Sequence, residues 1–276
     1  VRRRHLPWLL ATPALATPAL AGDSLMALEA EAGGRLGVLA IDTASGRSIA
    51  HRADERFAMM STFKALLAAC VLARGPGLLE RGFAIPGSNL LPWSPVTETR
   101  AGASMTGAEL CAAILESSDN TAANLLLDAT GGPAALTQWL RATGDGTTRL
   151  DRTEPLLNAA QPGDARDTTT PAAMVETLAR LTLADTLPVE SRARLLGWMA
   201  AHRYGGALLR AGMPGWTLAD RSGAGGFNSR AAVAVAWPPT GAAPWVIAAY
   251  LHQGPGAMPA RDALLARVGA LIAAAA

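Results

Sequence analysis

The chain has 276 residues, half of them apolar, and a formal net charge of +2. That length and apolar content supply a substantial core in one or two domains. The positive balance comes from Arg2, Arg3 and Arg4; taking these three from the 24 basic residues leaves 21 against 22 acidic ones, or −1, which leaves no basic footprint for nucleic acid.

Residues 1–21 read as an export signal. The three arginines form a charged n-region, Leu6 to Leu20 an apolar stretch, and Ala19-Leu20-Ala21 an A-x-A cleavage site. The prolines in the stretch argue against a persistent membrane helix, so the expectation is an exported, periplasmic or secreted protein cleaved near Ala21, with no stable membrane anchor. Asp23 to Glu31 then reads as a short helix. Arg35 to Ile41 and Arg47 to Arg52 flank Thr43-Ala44-Ser45-Gly46 and predict a β-hairpin. From about 58 to 190 the pattern is helical, with helices expected over 61–74, 106–116, 120–129, 133–143 and 171–183. Strand signal returns at Gly215 to Asp220, Arg230 to Trp237 and Trp245 to His252. A closing helix runs from Pro259 to Ala273 with Leu264, Leu265, Val268, Leu271 and Ile272 on one face.

Strands at both ends with helices between predict an α+β fold: a five-stranded antiparallel sheet flanked by helices, with an all-helical domain inserted. The expected division is 22–57 plus 191–276 for the sheet domain and 58–190 for the helical one. His5, His51, His202 and His252 are too scattered for metal-ligand spacing, and no glycine-rich phosphate loop occurs, so no metal and no cofactor are expected.

The informative residue is Lys64. It is the sole lysine against 23 arginines, and it follows Ser61 in Ser61-Thr62-Phe63-Lys64. With 12 serines in 276 residues, chance places one at that spacing about 4% of the time. Arginine stays protonated in proteins, whereas a buried lysine can lose its proton. A removable proton is what the base of a Ser-x-x-Lys nucleophile needs. Phe63 to Ala73 is apolar apart from Lys64, which predicts a buried helix with Ser61 and Lys64 on one face near its N-terminus. A lysine that snorkels to solvent is the plainer reading of the same residues.

Three further elements are ordinary when taken singly. Ser118-Asp119-Asn120 is a helix cap, Glu154-Pro155-Leu156-Leu157-Asn158 a surface loop, and Arg221-Ser222-Gly223-Ala224-Gly225-Gly226 a turn after a strand. In order, and together with Ser94-Pro95-Val96-Thr97-Glu98 and Gly163-Asp164-Ala165-Arg166-Asp167-Thr168-Thr169-Thr170-Pro171, they form a specific set. Over nearly all of 22–276 the chain resembles the class A serine β-lactamases.

The resemblance implies hydrolysis of β-lactam antibiotics through a serine acyl-enzyme. Ser61 would be the nucleophile, and Lys64 would accept its proton either directly or through Glu154 and a water. Ser118 would pass a proton to the lactam nitrogen. Glu154 and Asn158 would hold the hydrolytic water. Asn120 would hold the substrate's side-chain amide, and Trp93 would line the mouth. The N–H groups of Ser61 and Ala224 would form an oxyanion hole, with Gly223, Gly225 and Gly226 allowing close backbone approach. Arg221, Ser222 and Arg230 would bind the drug's carboxylate, and Arg152 would pair with Asp167 across the loop that carries Glu154. Small-molecule β-lactams are the implied partners, and a monomer is expected.

Departures from the family pattern refine this. Arg221 stands where most members have lysine; a carbenicillin-hydrolysing subgroup carries the same Arg-Ser-Gly, and Gly225-Gly226-Phe227 is similar to it. That implies a penicillinase active on carboxypenicillins. Met60 and Gly225 occupy the positions of a cysteine pair in a carbapenem-hydrolysing subgroup, which disfavours that activity. Cys111 matches a cysteine that the family often bridges to a position corresponding to Ala68; Cys70, two residues on and about 200° around the helix, should point away, so two free thiols are expected. The alternatives are a D-alanyl-D-alanine carboxypeptidase or related penicillin-binding enzyme, which the Glu154/Asn158 pair opposes, and a non-catalytic β-lactam sensor domain, which would carry a membrane tether.

Overall fold

A computed structural model describes residues 19–276. Of the expected export signal, residues 1–18 lie outside the described residues, and the expected cleavage site Ala19-Leu20-Ala21 falls in the first turn of α1. In chain order, α1 (Ala19–Ala32) leads into the hairpin β1 (Arg35–Asp42) and β2 (Ser48–His51), then β3 (Phe57–Ala58). A 3-10 turn at Met60–Thr62 opens α2 (Phe63–Ala73), followed by α3 (Pro76–Glu80), β4 (Gly82–Ala84) and β5 (Ser104–Thr106). The helical region continues with α4 (Gly107–Glu116), α5 (Asn120–Thr130) and α6 (Gly132–Ala142). After β6 (Thr168–Thr169) come α7 (Pro171–Thr182), α8 (Val189–Ala200) and α9 (Leu209–Gly212). The chain closes with β7 (Thr217–Gly225), β8 (Ser229–Trp237), β9 (Trp245–His252) and α10 (Met258–Ala275).

Five strands form one antiparallel sheet in the order β2-β1-β9-β8-β7, so the two ends of the chain meet where β1 pairs with β9. Alternate residues of each strand point to opposite faces, and here both faces are buried. Val38, Ala40, Ala234, Ile247 and Ala249 pack toward α1 and α10. Leu39, Val233, Val246, Ala248 and Tyr250 pack toward the helical layer. The expected α+β architecture is therefore present. The expected changeover at 190 falls inside α8, which packs against α2, α4 and β7.

Local chemistry explains the helix ends. Thr106 and Glu109 form a reciprocal capping box at α4, and the Asp119 side chain accepts from the Ala122 N–H at the start of α5. α2 has no such cap; it is held by burial on all sides, as its apolar sequence predicts.

Two expectations change in detail. Ser61 lies in the 3-10 turn ahead of α2 rather than in the α-helix itself. β7 does not stop at Asp220: residues 221–225 continue it, because Arg221 to Gly225 pair in register with Val233 to Ser229. The small residues that signal a turn in isolation here allow a strand to pass close to another part of the backbone.

Candidate active site

The Ser61 turn, the Ser118–Asn120 segment, the 154–158 loop and β7 converge on a cleft of about 700 Å³. Ser61, Trp93, Ser118, Asn120, Asn158, Arg221, Ser222, Gly223, Ala224 and Arg230 line it. Lys64 and Glu154 lie beneath the lining with fully buried side chains.

Lys64 Nζ is surrounded by oxygens. Ser61 Oγ lies at 3.2 Å, Ser118 O at 2.9 Å, Ser118 Oγ at 3.2 Å, Asn120 Oδ1 at 2.7 Å and Glu154 Oε1 at 2.9 Å. An ammonium carries three N–H donors, so these five neighbours exceed what it can satisfy at once. Burial drives the Lys64 amine down to about 8, against the pull of Glu154 and with help from the charge on Arg221. Ser118 Oγ also donates to Ser61 Oγ at 3.1 Å, which joins the three side chains in one network.

The backbone that presents this network is strained. Met60, Trp93 and Ser118 have φ of 49°, 61° and 62° without being glycine, a conformation that costs about 1–2 kcal/mol each. Asp119 offsets the strain at Ser118. Its buried carboxylate accepts from the Val96 and Thr97 N–H groups at 2.9 and 2.8 Å and from the Thr97 hydroxyl. The cap reading of Ser118-Asp119-Asn120 thus holds for Asp119, while its two neighbours face the cleft.

Glu154 is held from both sides. Asn124 accepts from its N–H at 3.0 Å and donates to its carbonyl at 2.9 Å. Asn158 Nδ2 donates to Glu154 Oε2 at 2.5 Å, and Asn158 Oδ1 is buried without a hydrogen-bond partner among the described residues. Arg152 Nε donates to Asp167 Oδ2 at 2.5 Å, and Asp167 Oδ1 accepts from the N–H groups of Asp151 and Arg152, which closes the neck of the loop. Close approach to β7 requires glycine at 225, where a Cβ would stand 2.5 Å from Asn158 O, and leaves a tight fit at Gly223, where one would stand 3.0 Å from Ser61 N.

The cationic wall differs residue by residue. Arg221 is almost fully buried, and its Nε and Nη1 have no hydrogen-bond partner among the described residues. Burial draws it toward about 10 against the attraction of Asp220 and Glu154, so it keeps its charge at neutral pH. Arg230, by contrast, donates through Nε to Asp262 at 2.6 Å and through Nη1 to the Gly223 carbonyl at 3.2 Å. Cys70 and Cys111 are both free and buried.

Comparison with known proteins matches this geometry to a family. The model of the β-lactamase enzyme family fits residues 21–276. β-Lactamase L2 of Stenotrophomonas maltophilia is 48% identical over 253 residues, covering 90% of this chain and 84% of that protein. β-Lactamase AST-1 of Nocardia asteroides is 47% identical over 241 residues, covering 86% and 77%. Among solved structures, an ancestral class A β-lactamase is 53% identical with a TM-score of 0.90, covering 93% of this chain and all of that one. The chain is a class A β-lactamase.

As a β-lactamase it hydrolyses β-lactams, and its sheet and helices follow the class A fold. Sequence reasoning missed several residues around the cleft. Tyr204 sits edge-on to Trp93 with ring centroids 5.4 Å apart, so two aromatics rather than one frame the mouth. Asp262, Asn124 and His202 also went unassigned, since a lone polar residue in a helix or loop carries no spacing signal. Among the described residues, no helix is long and apolar enough to cross a membrane.

Proposed function

We propose that Ser61 attacks the β-lactam carbonyl and that Lys64, unprotonated, receives its proton. The observation that carries this reading is the 3.2 Å contact between Lys64 Nζ, which is fully buried, and Ser61 Oγ on the cleft wall. With the amine lowered to about 8 by burial, a fraction of the protein near neutral pH carries it uncharged, and that form keeps a lone pair to accept with. The proton then moves from Lys64 to Ser118, 3.2 Å away, and on to the lactam nitrogen as the C–N bond breaks. The N–H groups of Ser61 and Ala224 stabilise the carbonyl oxygen as it takes up negative charge.

Glu154 then takes a proton from a water held by its carboxylate and by Asn158 Oδ1, an acceptor with no hydrogen-bond partner among the described residues. That water attacks the acyl carbonyl, and as the ester C–O bond breaks the proton on Glu154 passes by way of Lys64 to Ser61 Oγ, which restores the hydroxyl and the carboxylate. Asn120 and Trp93 hold the drug's side chain, and Arg221, Ser222 and Arg230 hold its carboxylate, with Arg221 supplying a planar guanidinium whose charge persists at neutral pH. Penicillins are the proposed substrates, carboxypenicillins included, as the Arg221-Ser222-Gly223 run suggests.

The chain is proposed to be an exported, periplasmic or secreted monomer after cleavage near Ala21. The sheet domain, 22–57 plus 191–276, and the helical domain, 58–190, would meet at the cleft. The test of function is turnover. Purified protein should hydrolyse nitrocefin and benzylpenicillin steadily. A single stoichiometric burst would instead favour a penicillin-binding enzyme or a sensor.

A further inference from the structure

We propose that His202 is a positioning residue for Ser222, deciding whether that hydroxyl donates into the cleft and so tying capture of a substrate carboxylate to a proton on the imidazole. The inference rests on the reading above that Arg221 and Ser222 bind that carboxylate.

Asp220, His202 and Ser222 form a buried chain. His202 Nδ1 lies 3.0 Å from Asp220 Oδ2, and His202 Nε2 lies 3.3 Å from Ser222 Oγ. The imidazole is sealed from solvent, while Ser222 lines the cleft. Asp220 Oδ1 accepts from Arg210 Nε at 2.7 Å, so the carboxylate is anchored from the far side. The backbone of Gly205 closes over the pair: a Cβ there would stand 2.3 Å from Asp220 Oδ2 and 2.9 Å from His202 Nδ1. A side chain at 205 would therefore collide with the pair.

These contacts fix the hydrogens. A carboxylate only accepts, so His202 Nδ1 carries the hydrogen that Asp220 receives. In the neutral imidazole Nε2 is then an acceptor, and the hydrogen that reaches it is that of Ser222. The Ser222 hydroxyl points away from the cleft and offers lone pairs to an incoming anion, which is the wrong polarity. When a proton arrives from the cleft at Ser222 Oγ and the Ser222 hydrogen passes to the imidazole, Nε2–H donates to Ser222 Oγ instead. The Ser222 hydrogen is released toward the cleft, where it meets a carboxylate oxygen.

The charges around the ring support a switch that needs substrate. Asp220 from β7 favours the proton. Arg221 from β7 and Arg210 from α9 oppose it, and Tyr204 stands edge-on at 6.2 Å between centroids. Burial comes first among the causes that hold the imidazole below its ordinary range. The free site is therefore neutral at neutral pH, and a bound carboxylate supplies the negative charge that draws the proton in.

The test compares kcat/KM for benzylpenicillin with that for its methyl ester, from about pH 5 to about pH 8. Taking the ratio cancels titrations shared by both substrates, that of Lys64 included. In the native protein the acid-to-ester ratio should fall as pH rises, by up to about tenfold per pH unit between the free and bound midpoints of His202. His202→Asn keeps a donor for Asp220 and removes the titrating nitrogen from Ser222, so its ratio should be flat. Ser222→Ala, which leaves the imidazole in place, should be flat and lower. A native ratio well above one but flat, or an undiminished slope in either variant, would overturn the inference alone. A native ratio near one at every pH would overturn the carboxylate reading beneath it.

Discussion

Lys64 Nζ lies 2.9 Å from Glu154 Oε1, and neither side chain reaches solvent. A buried charge pair of this kind is weak evidence for stability, because desolvation offsets most of the attraction. Its value here is chemical: each member can give the other a proton within a closed site. Lys64→Arg should therefore lower kcat/KM by about 10²–10⁴, the range of a lost general base, while the protein still melts cooperatively. Near-native rates would contradict the role given to Lys64.

Glu154→Ala separates the two halves of the reaction. Acylation should continue to some degree, and water attack on the acyl group should stall. Intact-mass measurement after mixing with a penicillin should show one trapped adduct, and peptide mapping should place it on Ser61. An unmodified variant with no turnover would mean that Glu154 is needed for the first step too.

Arg221 answers a different chemical demand. Its Nε and Nη1 have no hydrogen-bond partner among the described residues and it stands beside the cleft, so what matters there is a permanent positive charge. Arg221→Lys should stay within about tenfold of native kcat/KM on benzylpenicillin, a change of about 1.4 kcal/mol or less. The rate on carbenicillin relative to benzylpenicillin should fall, because a point charge replaces a planar pair of donors. A kinetic panel on both drugs decides this.

His252 links the strand before the nucleophile turn to the sheet, its Nε2 accepting from the Ala58 N–H at 3.0 Å. Burial holds its imidazole down at about 4 from an ordinary 6.5. The unfolded chain takes the proton first, so the contribution to stability is complete above about pH 6.5 and is lost as the pH falls toward 4. The loss is on the order of 3 kcal/mol. His252→Gln, which can still accept from Ala58, should lose less stability in urea unfolding between neutral pH and about pH 4.5 than the native chain. Equal losses would show that other groups govern acid unfolding.

Much of this was legible in the sequence, for physical reasons that differ by element. The α2 helix was readable because eleven residues without a breaker contain one polar side chain, and that side chain is the catalytic candidate. β8 and β9 were readable as apolar runs because both sheet faces are buried. The far half of β7 was not, because Ser222-Gly223-Ala224-Gly225 has turn composition, and only the approach of the Ser61 and Asn158 backbones explains it. Ten of the twelve expected site residues line the cleft, and the other two lie just under it. Tyr204, Asn124, Asp262 and His202 were hidden because each acts through a partner distant in sequence. Arg230 shows the same limit: its cationic character was plain, but its pairing with Asp262 was not.

The central claim concerns one nitrogen, and the composition allows it to be observed alone. The chain has a single lysine, so protein grown with lysine carrying ¹³C at the ε-carbon gives one lysine signal to follow against pH by NMR. The account predicts a midpoint near 8, with the signal shifted again in Glu154→Ala. A midpoint at the ordinary value of about 10.5, unchanged by loss of Glu154, would contradict it.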